Sequence, residues 1–509
     1  MSSMRWAAAP ALYLGFSLAL AAQEKPAPPV ASEVFSESID VRVVNVEAVV
    51  TDRSGKRVRG LKAGDFRLLV DGKEVPIDYF AEVSEGAAVT ASGTGAPVAQ
   101  GEVVGRNYLV FIDDSVALES QRNDLLKRLK LDLNLLRSAD HMAVLAFDGA
   151  RIAVLANWTD DRAVLAAALD HNLARPGRGI VAKVHQRSPE SDVALFEDSA
   201  ATLNDRDLEG PSILGVELGT LNSRHAASPD AYSDIHKSAD AAAAALRAFE
   251  APSGRKVMLL VTGAWTLQYE PGLYGPLLSA ANRLGYSVYP ADAAQSYAYA
   301  IKAADGLARL TGGTAVAEFD NHVFRAVVED SGTYYWLGFT PSWKADDRSH
   351  RMVVEPQRSG LSVRSRYGFA DPSKVREAAL KTEGLLLFGG TDPNRRLVVK
   401  LGAPHRKGRE LEVPVTLAVP AELLATTQQG KGYLASAALT MAAVDDKGGR
   451  ANLRATLQVA VPTLPKAGNF VSFETTVLLR DIGQRLVFSL PDPAGGPVVW
   501  GETNVAKAK

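Results

Sequence analysis

The sequence contains no cysteine among its 509 residues. A disulfide framework, a thiolate metal site and a cysteine nucleophile are therefore excluded. The formal net charge is only -2 at pH 7, so no global basic field is present to recruit nucleic acid or acidic lipid. Hydrophobic residues make up 47% of the chain and charged residues 22%, which is the balance of an ordinary folded protein. We expect no nucleic-acid partner.

Motifs of several enzyme classes are also missing. The histidines form no H-E-x-x-H motif or other metal pair at helical spacing, and no G-x-S-x-G elbow is present. The glycines of LTGGT (310–314) follow a predicted helix and precede a predicted strand, whereas a phosphate cradle needs the opposite order. They indicate a helix C-cap and a turn. Nothing in these motifs favours an enzyme, although a triad assembled from distant residues stays open.

Long apolar runs are lacking except at the N-terminus. Arg5 precedes the apolar segment Trp6–Leu20, and the tripeptide ALA at 19–21 has the small-x-small pattern of a cleavage site. These features predict a secretory signal peptide over residues 1–22. The alternative is a membrane anchor, for which the run is short and contains Pro10. We expect an exported protein, periplasmic or extracellular, without a membrane span after signal cleavage.

Two β-rich regions and one α/β region follow the signal. Valine-rich strands and the hairpin signal Asp71-Gly72 predict an N-terminal β unit at residues 35–84. From residue 106 to 340, strands alternate with helices, a pattern typical of a doubly wound, mostly parallel sheet. Residues 341–370 return to strand character and could pair with the N-terminal unit. Residues 374–509 carry short strands separated by turn signals, which predict a β-sandwich.

A polar corner ends the strand Tyr108–Ile112, where the sequence continues Asp113-Asp114-Ser115 and then enters a predicted helix. In open α/β sheets, ligands bind beyond the carboxyl ends of the strands. Carboxylate and hydroxyl oxygens at such a place can hold a hard cation such as Mg²⁺. They can equally cap the following helix through Asp114 or Ser115, and we favour the cap.

Five segments, in order, resemble the VWFA-related family of exported bacterial proteins, whose domain is similar to the von Willebrand factor A (VWA) domain. With the valine-rich strand that precedes the first segment, the resemblance covers about residues 35 to 370. The segments are GLKAGDFRLLVDGKEVPIDYF (60–80), NYLVFIDDS (107–115), GRKVMLLVTG (254–263), LARLTGGTAV (307–316) and RAVVEDSGTYYWLGFTP (325–341). The resemblance implies a VWA-like domain at 106–340 between the N-terminal β unit and the C-terminal sandwich.

The same resemblance implies a metal-ion-dependent adhesion site of the form Asp-x-Ser-x-Ser, with a later threonine and a later aspartate. Asp113 and Ser115 match its first two positions, the third falls on Ala117, and the late aspartate falls on Gly263. The threonine has no identifiable counterpart within the long segment His171–Asp230. Replacement ligands could come from Asp114 or from four carboxylates of that segment: Asp192, Glu197, Asp198 and Asp205.

These observations favour an exported, non-catalytic protein of the interaction or adhesion type, with a degenerate metal site and no resident cofactor. Its partner is expected to be a protein, bound through the carboxyl edge of the sheet and the 171–230 segment. One alternative is a metal-dependent adhesin in which Asp113 and Ser115 hold Mg²⁺. The other is a cell-envelope enzyme with its site in the 171–230 segment.

Overall fold

The structure of the chain is a computed structural model. It describes the following residues: 43–93, 98–149, 151–177, 229–263, 271–293, 306–315, 322–343, 345–388, 397–408, 410–445, 450–491 and 498–506. The predicted signal peptide and most of the 171–230 segment, including Asp192, Glu197, Asp198 and Asp205, lie outside them. Among the described residues, no helix combines the length and the apolar character needed to cross a membrane.

Two antiparallel sheets at the N-terminal end pack against each other. The first has the order β13 (Leu361–Ser365), β1 (Val44–Asp52), β11 (Thr333–Phe339), β4 (Tyr79–Ser84), β5 (Ala87–Gly93). The second has the order β14 (Gly368–Ala370), β12 (Ser349–Pro356), β2 (Phe66–Val70), β3 (Lys73–Val75). Side chains of both sheets share one hydrophobic cluster. Strands that follow residue 332 therefore pair with strands that precede residue 85, and the α/β segment lies between them in sequence.

The α/β segment contains a mixed five-stranded sheet. Its order is β10 (Tyr286–Asp292), β9 (Arg255–Thr262), β6 (Arg106–Asp113), β7 (His141–Phe147), β8 (Ile152–Thr159). The first three of these pairings are parallel, and the pairing of β7 with β8 is antiparallel. Its helices are α1 (Glu119–Leu131), α2 (Arg162–Leu173), α3 (Pro229–Ala248), α4 (Pro271–Leu284) and α5 (Val323–Asp330).

Residues of β6 alternate between two hydrophobic clusters, as side chains of a strand do. Leu109 and Phe111 belong to the cluster that contains α3 and α4. Tyr108, Val110 and Ile112 belong to the cluster that contains α1, α2 and α5. The strand is therefore buried on both faces, which explains its continuous apolar run. Its last residue, Asp113, is the first polar group at the carboxyl edge of the sheet.

The C-terminal part consists of α6 (Lys374–Phe388) and two antiparallel sheets. One sheet has the order β15 (Val398–Leu401), β17 (Glu410–Pro420), β16 (His405–Lys407), and β21 (Phe470–Arg480) also pairs with β17. The other has the order β18 (Ala425–Gln429), β19 (Gly432–Asp445), β22 (Gln484–Leu490), β23 (Val499–Val505), and β20 (Arg450–Val461) also pairs with β19. The two sheets share one hydrophobic cluster. Short 3-10 turns occur at Ala63–Asp65, Asp132–Leu135 and Ala421–Leu423.

The predicted fold class, a doubly wound, mostly parallel VWA-like sheet flanked by β units, is wrong. Strands predominate over helices in the described residues, four of their five sheets are antiparallel, and the fifth is mixed. The prediction of a mostly parallel sheet rested on the alternation of strands and helices, and that alternation does not hold at β7 and β8. Only four residues separate β7 from β8, whereas a parallel crossover needs a dozen or more. The division of the chain into domains at the predicted boundaries stays a prediction.

Buried charged groups join the mixed sheet to the first antiparallel sheet. The Arg255 side chain at the start of β9 is fully buried, and its Nε lies 2.9 Å from Oε2 of Glu47 on β1. The same guanidinium lies over the ring of Tyr334 at 4.2 Å and donates to the carbonyl of Ser331 at 2.8 Å. Because separating these groups would leave a buried charge without its partner, the contact holds the two sheets in a fixed relation.

Candidate functional site

The Asp113 carboxylate lies at the centre of a ring of hydroxyl groups. Oδ1 accepts hydrogen bonds from the Ser115 hydroxyl at 2.5 Å and from the Ser115 amide at 3.1 Å. Oδ2 accepts from the Ser238 hydroxyl on α3 and from the Thr262 hydroxyl on β9, the latter at 3.3 Å. We call these four residues, Asp113, Ser115, Ser238 and Thr262, the hydroxyl ring. It joins three distant parts of the chain at the carboxyl edge of the sheet.

All four residues of the hydroxyl ring are buried. Asp113 and Ser238 have no exposed surface, and Ser115 and Thr262 are 2% and 3% exposed. Burial raises the pKa of the Asp113 carboxyl, while its hydrogen bonds from Ser115, Ser238 and Thr262 act against that rise. The ring is thus a closed hydrogen-bonded junction between β6, α3 and β9.

Asp114 points the other way and is held by two arginines. Its Oδ1 accepts from Arg122 Nη1 at 2.6 Å, and its Oδ2 accepts from Arg175 Nε at 3.2 Å and from Asn172 Nδ2 at 3.1 Å. The Arg122 side chain is fully buried. Burial raises the pKa of the Asp114 carboxyl, and the guanidinium groups of Arg122 and Arg175 oppose that rise. Asp114 therefore ties α1 to the end of α2 and offers no ligand to the hydroxyl ring.

The prediction that Asp114 or Ser115 caps the following helix is wrong. Helix α1 begins at Glu119, its N-cap residue is Leu118, and no side-chain cap hydrogen bond is formed there. The cap was predicted because an acidic or hydroxyl residue just before a helix is the usual N-cap signal. Here four residues separate Asp114 from Glu119. Asp114 instead accepts from Arg122 and Arg175, and the Ser115 hydroxyl donates to Asp113.

The metal site implied by the family resemblance does not fit these side chains. Asp113 is the one carboxylate of the hydroxyl ring, and its two oxygens already accept from three hydroxyls and one amide. Ala117, at the third position of the motif, is buried and supplies no side-chain oxygen. Mg²⁺ prefers octahedral oxygen coordination and usually retains several waters. Asp113 and Ser238 have no exposed surface, so a hydrated ion would bind Asp113 only if the ring opened.

Sequence reasoning identified two members of the hydroxyl ring and missed Ser238 and Thr262. Thr262 immediately precedes Gly263, where the late aspartate was sought, so the correct strand end was examined for a carboxylate instead of a hydroxyl. Ser238 precedes the alanine-rich stretch of α3, ADAAAAAL (239–246). A hydroxyl on the buried face of such a helix is the signal that could have marked it, since buried polar groups are hydrogen-bonded.

Two other motifs have structural roles, and for the glycines of LTGGT a helix end and a turn were predicted. Tyr334-Tyr335-Trp336 lies within β11, where every residue is buried. In LTGGT, the helical residues 306–310 end at a turn in which Gly312 has φ +81 and Gly313 donates its amide to the carbonyl of Ala308 at 2.8 Å. A positive φ is the conformation that favours glycine at a helix end.

Comparisons with known proteins identify no relative by sequence. No protein-family model matches the chain, and no curated protein matches it. Among solved structures, the chain has a likeness to "Crystal Structure of the TFIIH p34 N-terminal Domain". The identity is 13%, the TM-score is 0.21, and the match covers 44% of this chain and 96% of that chain. A TM-score this low supports no conclusion about fold or function.

Proposed function

We propose that the chain is an exported, non-catalytic protein of the interaction type, and that it binds a protein partner without a metal ion. The observation that carries the metal-free part is the closed hydroxyl ring, in which hydroxyl and amide donors occupy the Asp113 carboxylate. The resemblance of residues 35–370 to the VWFA-related proteins and the signal-like N-terminus support the binding and export parts.

The carboxyl edge of the mixed sheet is the surface that we assign to the partner. The segment that follows α2 starts beside this edge, because Arg175 bonds Asp114 and the Gly177 amide donates to Oε2 of Glu119 at 3.0 Å. Glu119 is exposed at the first position of α1. A partner that contacts the edge would therefore meet Glu119 and the start of the 171–230 segment together.

The test is capture of partners by the mature protein, residues 23–509, from extracellular and periplasmic fractions of the native cells, in Mg²⁺ and in EDTA. Each captured protein is purified and its Kd is measured with wild type, Glu119→Lys and the matched control Asp124→Lys. Asp124 is exposed on the same helix. We expect Glu119→Lys to weaken binding at least about tenfold, and EDTA and Asp124→Lys to leave the Kd unchanged.

Two results would overturn parts of the proposal. Binding that EDTA abolishes, and that Mg²⁺ restores in wild type but not in Asp113→Asn, would establish the metal-dependent adhesin instead. Equal affinity of wild type and Glu119→Lys would remove the interface from the carboxyl edge.

A further inference from the structure

Three side chains with metal-ligand chemistry converge at one edge of the second antiparallel sheet. They are Asp346 in the loop before β12, His350 near the start of β12 and Asp371 just after β14. One ligand atom from each lies within 4.8 Å of the other two. The strand register explains the convergence, since His350 pairs with Phe369 and Ser349 pairs with Ala370, which directly precedes Asp371. We call these three residues the His350 cluster.

A fourth carboxylate orients the imidazole. Nδ1 of His350 lies 2.8 Å from Oδ2 of Asp71, in the turn between β2 and β3. Asp71 is itself fixed, because its Oδ1 accepts the Arg351 amide at 2.9 Å. When Nδ1–H donates to Asp71, the lone pair of Nε2 is directed towards Asp346, which lies 3.2 Å away. A carboxylate behind a histidine is the arrangement that fixes the tautomer of metal-binding histidines.

The remaining groups of the cluster are also held in place. The His350 ring contacts both Trp343 and Phe369, with ring centroids 4.9 and 5.1 Å away, and those two rings also contact each other. Oδ2 of Asp371 accepts from Trp343 Nε1 at 3.1 Å, and Oδ1 of Asp346 accepts from the Arg348 amide at 3.0 Å. His350 is buried, whereas the side chain of Asp346 is 32% exposed. The cluster is therefore preorganised on its inner side and open to solvent on its outer side.

We propose that the His350 cluster binds one divalent transition-metal ion, with Zn²⁺ as the preferred ion. The ligands are His350 Nε2 and one carboxylate oxygen each from Asp346 and Asp371, and a water completes the coordination. Two carboxylates balance the charge of the ion, and an imidazole ligand favours zinc over Mg²⁺ and Ca²⁺, which prefer oxygen. This site is separate from the hydroxyl ring and from the proposed protein interface.

The distances are consistent with such a site after a small contraction. Tetrahedral zinc with bonds of about 2.0–2.2 Å places its ligand atoms about 3.3 Å apart. His350 Nε2 and Asp346 Oδ1 already have a separation of 3.2 Å. The ligand atoms of all three residues lie within 4.8 Å of one another. Zinc binding would therefore need only a small movement of the Asp371 carboxylate towards the other two. The competing interpretation is a protonated His350 that bridges Asp71 and Asp346 as an ion-paired triad and binds no metal.

The test is calorimetric titration of the tag-free mature protein with ZnCl₂, after EDTA treatment and dialysis, beside an identical titration with MgCl₂. We expect one zinc site of micromolar or tighter Kd and no heat from magnesium. Asp346→Asn should weaken zinc binding at least about tenfold, and Asp71→Asn about 10- to 100-fold through the orientation of His350. The matched control Asp124→Asn, which alters another exposed aspartate, should leave the zinc Kd unchanged.

Two outcomes would overturn the proposal. An absence of zinc heat in the wild type would favour the ion-paired triad. Zinc binding of equal affinity in wild type and Asp346→Asn would locate the ion at other residues. Because Asp346 is exposed, its variant is expected to fold, and circular dichroism verifies this; the test therefore does not depend on the buried His350.

Discussion

The hydroxyl ring around Asp113 and the His350 cluster each bring polar side chains together at the edge of a sheet. They differ in how far the oxygen and nitrogen lone pairs are already used by hydrogen-bond donors. In the hydroxyl ring, three hydroxyls donate hydrogen bonds to one buried carboxylate, so both oxygens of Asp113 already accept hydrogen bonds. In the His350 cluster, two carboxylates and the Nε2 face of an imidazole point at one another, and one of the three groups is exposed. We therefore expect the direction of the lone pairs to be a better guide to metal binding in this protein than the sequence motif.

The largest effect on the free energy of unfolding should come from Asp114, which follows Asp113 in the sequence. Asp114→Ala leaves the buried guanidinium of Arg122 without its ion-pair partner, and such a loss costs about 3–5 kcal/mol. The free energy of unfolding in urea gives the size of the loss, and hydrogen exchange of α1 and α2 amides localises it. Asp124→Ala, at an exposed ion pair on the same helix, should cost less than about 1 kcal/mol. A similar cost for both variants would contradict the expected difference between the buried ion pair of Asp114 and the exposed ion pair of Asp124.

Asp140 is a second buried carboxylate that accepts hydrogen bonds from two arginines, and its effect on stability should depend on pH. It immediately precedes β7 and accepts from Arg106 Nη2 at 2.7 Å and Arg137 Nη2 at 2.9 Å. Burial alone would raise its pKa, but the hydrogen bonds from Arg137 and Arg106 outweigh burial and lower the pKa to about 2. Since this folded-state pKa lies below the ordinary value of 3.8, the stabilisation is present above about pH 4 and is lost as the pH falls towards 2.

Asp140→Asn should therefore destabilise the protein by about 2 kcal/mol at pH 7. The difference from wild type should shrink as the pH falls from 4 to 2. Urea unfolding of both proteins at pH 7, 4 and 3 measures this trend. A difference that stays constant over that range would show that Asp140 acts through packing instead of charge.

Within the hydroxyl ring, removal of a single hydrogen-bond donor should have a moderate effect on the free energy of unfolding. Thr262→Val keeps the shape of the side chain and removes the hydroxyl that bonds Asp113, so we expect a loss of about 1 kcal/mol. The loss should be the same in Mg²⁺ and in EDTA, because the ring is proposed to bind no metal. A stability difference that appears only in Mg²⁺ would make Thr262 a metal ligand.

The smallest effect on folding should come from the open cluster. In EDTA, Asp346→Asn should change the free energy of unfolding by no more than about 0.5 kcal/mol, since the side chain is partly exposed. Zinc should raise the Tm of the wild type more than that of the variant, because an ion that binds the native state stabilises it by mass action. Differential scanning calorimetry measures both. A zinc-dependent rise of equal size in the variant would contradict the assignment of the ligand.

The sequence predicted individual elements better than their assembly. The apolar run Tyr108–Ile112 predicted the central strand, which is observed as Arg106–Asp113, because a strand buried on both faces is apolar throughout. The antiparallel direction of β8 follows from the four-residue connection after Phe147, which is too short for a parallel crossover. The partners of Asp113 could not be predicted, since Ser238 and Thr262 lie 125 and 149 residues away along the chain.

The His350 cluster was missed for a related reason. Sequence motifs for metal sites place two histidines at helical spacing, whereas the ligands of this cluster come from a loop, the start of β12 and the residue after β14. Only the antiparallel register brings Asp371 beside His350. A long-range contact of this kind is a property of strand pairing and leaves no local spacing pattern in the sequence.

The central claim, that metal-binding capacity resides in the His350 cluster and not at Asp113, is tested most directly by one set of titrations. Wild type, Asp113→Asn and Asp346→Asn are each titrated with Zn²⁺ and with Mg²⁺ by calorimetry. We predict zinc binding that Asp113→Asn retains and Asp346→Asn weakens at least about tenfold, with no magnesium heat in any of the three proteins. Micromolar magnesium binding that Asp113→Asn abolishes, or zinc binding that Asp346→Asn leaves intact, would contradict the account.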